Sequence, residues 1–257
     1  MRLTILGSGT VSPHKTRVCA GHLVEAGDVR MLLDCGNGVV HRLATLDLAW
    51  NAITHVAITH FHYDHYGDLP ALIAAFRWGQ LPPRAEPLTI LGPVGTMAFL
   101  EQFARTAGDW LLKPETFEVR VVEVAPGGDV ALSGTKDVTL SAHPVPHTPE
   151  SIAYSLSRAG ARLVYTGDTG YDEAFADWAA ECSVLLAECS LPAALAIPEH
   201  LTPETVGAIA ARARPGRLVL THMFPPVERE NIRALIEARW SGPVVAADDG
   251  TVIEIED

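Results

Sequence analysis

Thr59-His60-Phe61-His62-Tyr63-Asp64-His65 places three histidines and an aspartate within six residues. The segment closes His55–Thr59, an apolar, β-branched run that reads as a strand. Imidazole nitrogen and carboxylate oxygen are the donors that bind Zn²⁺, and also Mn²⁺ or Fe²⁺. In an extended loop His60 and His62 point the same way, at a period of two, and can share one ion. Asp64 and His65 follow a turn and can serve a second. A single tetrahedral ion would not need all four.

Further ligands must come from elsewhere in the chain. Three residues stand at or just beyond the ends of apolar strands, next to proline, glycine or threonine. They are His147 in Pro146-His147-Thr148, Asp168 in Thr166-Gly167-Asp168-Thr169-Gly170, and His222 in Leu220-Thr221-His222. Together with the first cluster they complete two coordination shells.

Around these points the sequence alternates between strands and helices. Arg2–Leu6 reads as a strand, and His22–Glu25 with Val29–Asp34 as a hairpin turning at Gly27-Asp28. Val39–Leu46, Asp68–Trp78, Thr96–Arg105, Asp172–Ala180, Pro203–Ala213 and Glu228–Ala238 have helical spacing. The helix from Pro203 has Thr202 as its N-cap and Glu204 in its first turn. Strands are expected at Leu88–Leu91, Val119–Val124, Asp137–Ala142, Ile152–Leu156, Arg162–Thr166, Val184–Ala187, Arg217–Leu220, Val244–Ala246 and Val252–Ile255. Two sheets with helices outside them account for this order. No Pro/Gly/Ser-rich linker divides the chain, so residues 1–257 are expected to form one domain.

Composition narrows the function classes. The chain has 31 acidic and 19 basic side chains, a formal charge of −12, and 48% hydrophobic residues, which is a globular and not a disordered composition. The acidic balance argues against a protein that grips nucleic acid through long-range charge. No apolar run reaches the roughly 18–20 residues of a membrane span. The first residues are too quickly interrupted by Gly7 and Gly9 for a signal peptide. Cys19, Cys35, Cys182 and Cys189 form no CxxC pair and read as buried, reduced thiols. A cytoplasmic protein with no membrane partner is therefore expected.

The pattern His60-x-His62-x-Asp64-His65, followed by His147, Asp168 and His222, resembles the metallo-β-lactamase superfamily and, within it, the ribonuclease Z-like branch. Gly7-Ser8-Gly9-Thr10 and Leu33-Asp34 match as well. The resemblance implies an α/β fold, the αββα sandwich, and a dinuclear metal-dependent hydrolase. Carried over by position, His60, His62 and His147 would hold one ion, Asp64, His65 and His222 the other, and Asp168 would bridge them. Asp34 would orient a ligand histidine. The cofactors implied are two divalent ions per chain, Zn²⁺ first, with Mn²⁺ or Fe²⁺ as alternatives.

The activity implied is that of a phosphodiesterase using a metal-bridging hydroxide. Asp64, His200 and Glu188 are the expected catalytic residues. Glu188 in Ala187-Glu188-Cys189-Ser190 and His200 in Glu199-His200-Leu201-Thr202 resemble the family's pair that protonates the leaving oxygen. Two positions depart from the family: Ala187 replaces a histidine and Leu201 a serine. Asp168 follows His147 by 21 positions, too few for the tRNA-gripping arm that tRNA-processing members insert there. The expected substrate is therefore a small or cyclic phosphodiester, with no tRNA partner. A lactonase or other acyl hydrolase, or a non-catalytic metal-binding homologue, is the alternative. Phe61, Tyr63, Trp78, Leu81, Pro82, Pro83 and Met223-Phe224-Pro225-Pro226 are candidates to wall the cleft or its entrance. A homodimer is expected, with Asp68–Trp78 and Leu81–Pro83 as its apolar surface.

Overall fold

The computed structural model describes every residue except Pro114, Ser133 and Asp257. Two seven-stranded sheets lie face to face. The first contains β1 (Arg2–Gly7), β2 (Gly21–Ala26), β3 (Val29–Leu33), β4 (His55–Ala57), β5 (Leu88–Pro93) and β6 (Val119–Val124). The second contains β7 (Asp129–Ala131), β8 (Thr139–Pro144), β9 (Ile152–Arg158), β10 (Ala161–Tyr165), β11 (Val184–Glu188), β12 (Arg217–Thr221) and β13 (Val244–Ala246). The chain then returns, and β14 (Val252–Glu254) pairs antiparallel with β1. The expected αββα sandwich is what the chain builds.

Alternation along the strands explains the layers. On β10, Leu163 and Tyr165 point between the sheets, while Val164 points out to the helices. The inter-sheet core gathers Leu3, Ile5, Val24, Met31 and Leu33 against Leu140, Tyr154, Leu156, Leu186 and Val219. β11 is buried along its whole length, as a parallel strand covered on both faces must be.

Helices α1 (Val39–Thr45), α2 (Tyr63–Tyr66), α3 (Leu69–Trp78) and α4 (Thr96–Ala107) are associated with the first sheet. Leu69, Leu72, Ile73 and Phe76 of α3 bury the outer side of β3–β5. Helices α5 (Glu173–Trp178), α6 (Pro203–Ala213) and α7 (Ile232–Glu237) cover the second sheet, through Phe175, Val206, Ile209 and Ile236. Thr202 caps α6 as expected, accepting from the Thr205 amide at 3.3 Å.

The expected helix Glu228–Ala238 is instead a 3₁₀ turn at Val227–Arg229 followed by α7. Glu230 is extended, and Asn231 restarts the helix by accepting from the Ala234 amide. The strand expected at Asp137–Ala142 runs from Thr139 to Pro144, and β7, too short to register in the periodicity, pairs with it. Cys35, Cys182 and Cys189 are buried free thiols, whereas Cys19 is half-buried. No helix among the described residues is long and apolar enough to cross a membrane.

The residues of interest leave the carboxyl ends of β3, β4, β10, β11 and β12, where ligand clefts of parallel sheets form. Backbone contact holds this end together. The Cys35 amide donates to the His65 carbonyl at 2.7 Å. A Cβ on Gly36 would lie 1.9 Å from the Asp64 carbonyl oxygen and 2.8 Å from that of Ala20. Gly36→Ala must therefore push away the turn that carries Asp64 and His65. It is expected to cost about 1–3 kcal/mol in urea unfolding of the metal-free protein. An unchanged midpoint would show that the two segments separate freely.

Candidate metal centre

β4 delivers His60 and His62 on extended backbone, and His62 then occupies the N-cap position of α2. The single turn of α2 presents Asp64 and His65. His147 lies in the loop from β8 to β9, Asp168 follows β10, and His222 follows β12. His222 and Asp34 both sit at positive φ, 53° and 59°, where non-glycine residues carry strain. Such strain persists only when the surroundings over-determine it.

Asp168 stands between two groups of donors. Its Oδ2 lies 3.8 Å from both His60 Nε2 and His147 Nε2. Its Oδ1 lies 3.3 Å from both His65 Nε2 and His222 Nε2. His62 Nδ1 faces His147 Nε2 at 3.0 Å, and Asp64 Oδ2 is 3.4 Å from His222 Nε2. The donors fall into one group of His60, His62, His147 and Asp168 and another of Asp64, His65 and His222, each with its donor atoms within 4.8 Å of one another.

The chemistry of this donor set fits divalent cations. His60 Nε2, His65 Nε2, His222 Nε2 and Asp168 Oδ1 are buried without a hydrogen-bond partner. Leaving several such groups unsatisfied in one place costs far more than any packing gain returns. A divalent ion in each group satisfies all of them at once.

Charge balance points the same way. Burial raises the Asp168 carboxyl, but His222 and His65 outweigh it and hold Asp168 well below the usual carboxylate range. Burial pushes His60 well below the ordinary imidazole value, and the neighbouring His65 adds to this. Burial would lower His65 too, yet the carboxylates of Asp168 and Asp34 drive it well above that value. The pocket thus holds an ionised Asp168 among imidazoles, and the carboxylates that draw His65 toward its charged form are the ones that would hold a cation.

Two buried carboxylates support the donors from outside. Asp34 accepts from the Thr59 amide at 2.8 Å, the Thr59 hydroxyl at 2.9 Å, the Tyr165 hydroxyl at 2.8 Å and His65 Nδ1 at 2.7 Å. Glu188, fully buried, accepts from the Thr169 amide at 2.6 Å, the Leu201 amide at 3.1 Å, the Ser190 hydroxyl and His200 Nδ1 at 2.9 Å. Burial would lower His200, but the hydrogen bond and charge of Glu188 raise it to about 9. With Nδ1 on Glu188, the His200 ring stacks on His222, 19° from parallel at 5.8 Å between centroids, and lies 4.9 Å from His147.

All of His60, His62, Asp64, His65, His147, Asp168 and His222 meet at this one place, with Asp34, Glu188 and His200 against them. His200 also comes close enough to Asp168 and His222 to form a third donor group. Thr59, Tyr165 and Ser190 were not singled out in the sequence. Their only signal is a hydroxyl beside a candidate ligand or carboxylate.

The candidate wall residues divide. Phe224 packs edge-on to His200 and His222. Tyr63 is 57% exposed and packs edge-on to Tyr66. Phe61 instead stacks on Phe99 of α4 at 4.6 Å. Trp78 packs on Trp110, and Leu81 is 95% exposed.

Residues 29–223 match a family model described as the beta-lactamase superfamily domain. The ribonuclease Z of Mycolicibacterium gilvum (strain PYR-GCK) is 30% identical, across 97% of this chain and 94% of its own. The crystal structure of the metallo-beta-lactamase fold protein YhfI from Bacillus subtilis superposes with a TM-score of 0.83 over 98% of each chain, at 23% identity. Human tRNase Z, short form, superposes with a TM-score of 0.79 over the full length of both chains, at 24% identity. The expectation of no tRNA partner is overturned by these relatives, which are named ribonuclease Z and align almost end to end. The physical reason is that a net charge of −12 sums the whole surface. It does not set the field at a cleft, where bound divalent ions are the largest local charges.

Proposed function

Because the chain belongs to the beta-lactamase superfamily, in its ribonuclease Z-like branch, we propose that its metal-dependent phosphodiester hydrolysis runs on two ions and a His200–Glu188 proton donor. His60, His62 and His147 would hold one ion, Asp64, His65 and His222 the other, and the two oxygens of Asp168 would serve both. Zn²⁺ suits this imidazole-rich set best, ahead of Mn²⁺ or Fe²⁺. When bound, such a pair supplies an acidified water as nucleophile and positive charge for the phosphoryl oxygens.

The observation that carries the reading is the His200–Glu188 pair. Its Nδ1–H is fixed on a buried carboxylate, its pKa is raised to about 9, and its ring comes within donor distance of Asp168 and His222. At neutral pH His200 holds a proton and can pass it to a departing alkoxide. Glu188 fixes the ring and stabilises the charged imidazole. An alkoxide from a phosphodiester needs that proton. A lactone's ring-opening alkoxide takes a proton too, so it is the ribonuclease Z relatives that favour phosphodiester over lactone chemistry.

A small or cyclic phosphodiester suits the cleft. The interval from His147 to Asp168 is spent on β9, β10 and their short connections, with no inserted arm among them. A second reading, RNA 3′-end cleavage, is favoured by the name of the Mycolicibacterium gilvum relative. The test is a panel of a nucleoside 2′,3′-cyclic phosphate, an aryl phosphodiester, a precursor tRNA and an acyl-homoserine lactone. Turnover of phosphodiesters is expected. Lactone hydrolysis with no phosphodiester turnover would reject the assignment.

Assembly as a homodimer in the cytoplasm belongs to the same proposal. Trp78 and Leu81 offer an exposed apolar surface at the end of α3. Light scattering is expected to give twice the chain mass of 27.6 kDa, and a monomer at micromolar concentration would refute it.

A further inference from the structure

The two sheets carry the same device on opposite sides of the cleft. On the first, His60 Nδ1 lies 3.0 Å from the Thr59 hydroxyl, and that hydroxyl donates to Asp34 at 2.9 Å. Asp34 also accepts directly from His65. On the second, His222 Nδ1 lies 3.0 Å from the Ser190 hydroxyl, and that hydroxyl donates to Glu188 Oε2. Glu188 also accepts directly from His200. Each buried carboxylate therefore takes one imidazole directly and a second through an intervening hydroxyl.

A hydroxyl has one proton to give. Ser190 Oγ lies 3.0 Å from the His222 carbonyl oxygen as well, but the ionised carboxylate is the stronger acceptor and takes the proton. The lone pairs left on Ser190 can only accept, so the proton of the His222 ring must sit on Nδ1. That leaves the lone pair on Nε2, the atom that faces Asp64 and Asp168 and has no partner in the protein. The same logic at Thr59 frees His60 Nε2.

We infer that Ser190 is a positioning residue: it carries the orienting charge of Glu188 to His222, locks its metal-accepting tautomer, and ties that ligand to the His200 proton donor through one carboxylate. The inference rests on His222 being a ligand and His200 the proton donor. Ser190 is fully buried, and among the described residues its hydroxyl bonds only to Glu188 and His222. Without the hydroxyl, His222 Nδ1 has no partner, either tautomer forms, and an incoming ion must displace a proton from Nε2 in part of the molecules.

The experiment titrates Zn²⁺ into metal-free wild type, Ser190→Ala, Ser190→Thr and His222→Ala against a chromophoric chelator. ¹⁵N imidazole spectra of the metal-free proteins report the His222 tautomer. Ser190→Ala is expected to weaken one ion by about 10–100-fold and leave the other unchanged. Its His222 spectrum should change from Nδ1–H to a mixture. Ser190→Thr keeps the hydroxyl and should restore both readouts.

Ser190→Ala binding both ions as wild type does, while His222→Ala loses one, would overturn the inference and leave the ligand assignment standing. Ser190→Thr failing like Ser190→Ala, with its fold intact by circular dichroism, would also overturn it, because packing and not the hydroxyl would then be responsible. His222→Ala retaining both ions would reject the ligand assignment itself, and the inference with it.

Discussion

Replacing His200 with alanine is expected to slow hydrolysis of an alkyl phosphodiester by about 10²–10⁴-fold and that of an aryl phosphodiester much less. An aryl oxide leaves readily as an anion, whereas an alkoxide needs a proton in the transition state. In the proposed mechanism His200 supplies one, held by Glu188 and raised to about 9. Glu188→Gln should show the same dependence on leaving group in weaker form, since the amide still accepts from Nδ1 but no longer carries the charge. Metal content should stay at the wild-type level in His200→Ala, whereas Glu188→Gln also removes the charge that Ser190 relays to His222 and should loosen the ion His222 holds. His200 also sits within donor distance of Asp168 and His222, so the metal assay decides between acid and ligand. Equal losses on both substrates would mean that His200 positions substrate, and loss of an ion would mean that it binds metal.

Asp168→Ala is the second change expected to act strongly. Oδ2 faces His60 and His147, and Oδ1 faces His65 and His222. One carboxylate lost should therefore weaken both ions together, from about two equivalents per chain to less than one after dialysis. Activity should fall with the metal. Clean retention of one ion would show that Asp168 belongs to one group alone. His147→Ala is the control, because it faces only the first group and should spare the second ion.

How much of this was legible in the sequence depended on the kind of signal. The seven donors were, because alternation at His60 and His62 and the strand-end positions of His147, Asp168 and His222 follow from backbone geometry. Asp34, Glu188 and His200 were reached through resemblance, and no local pattern would have joined Glu188 to a histidine twelve residues later. Thr59 and Ser190 were missed. Hydroxyls beside strand ends are common, and only the fold shows which of them stand between a carboxylate and an imidazole. The sheet pairing that brings β4 and β12 to one cleft is a tertiary fact. The helix expected at Glu228–Ala238 failed because Asn231 competes for the backbone and restarts the turn. Net charge misleads about tRNA because a whole-chain sum of −12 is not the local field at the cleft.

The most direct test of the dinuclear account is a metal titration of the metal-free wild type, following hydrolysis of an alkyl phosphodiester as Zn²⁺ is added. Activity should stay near zero until the ions pair, rise with the second equivalent, and level off at about two per chain. Full activity at one equivalent, or a single bound ion at saturation, would contradict it.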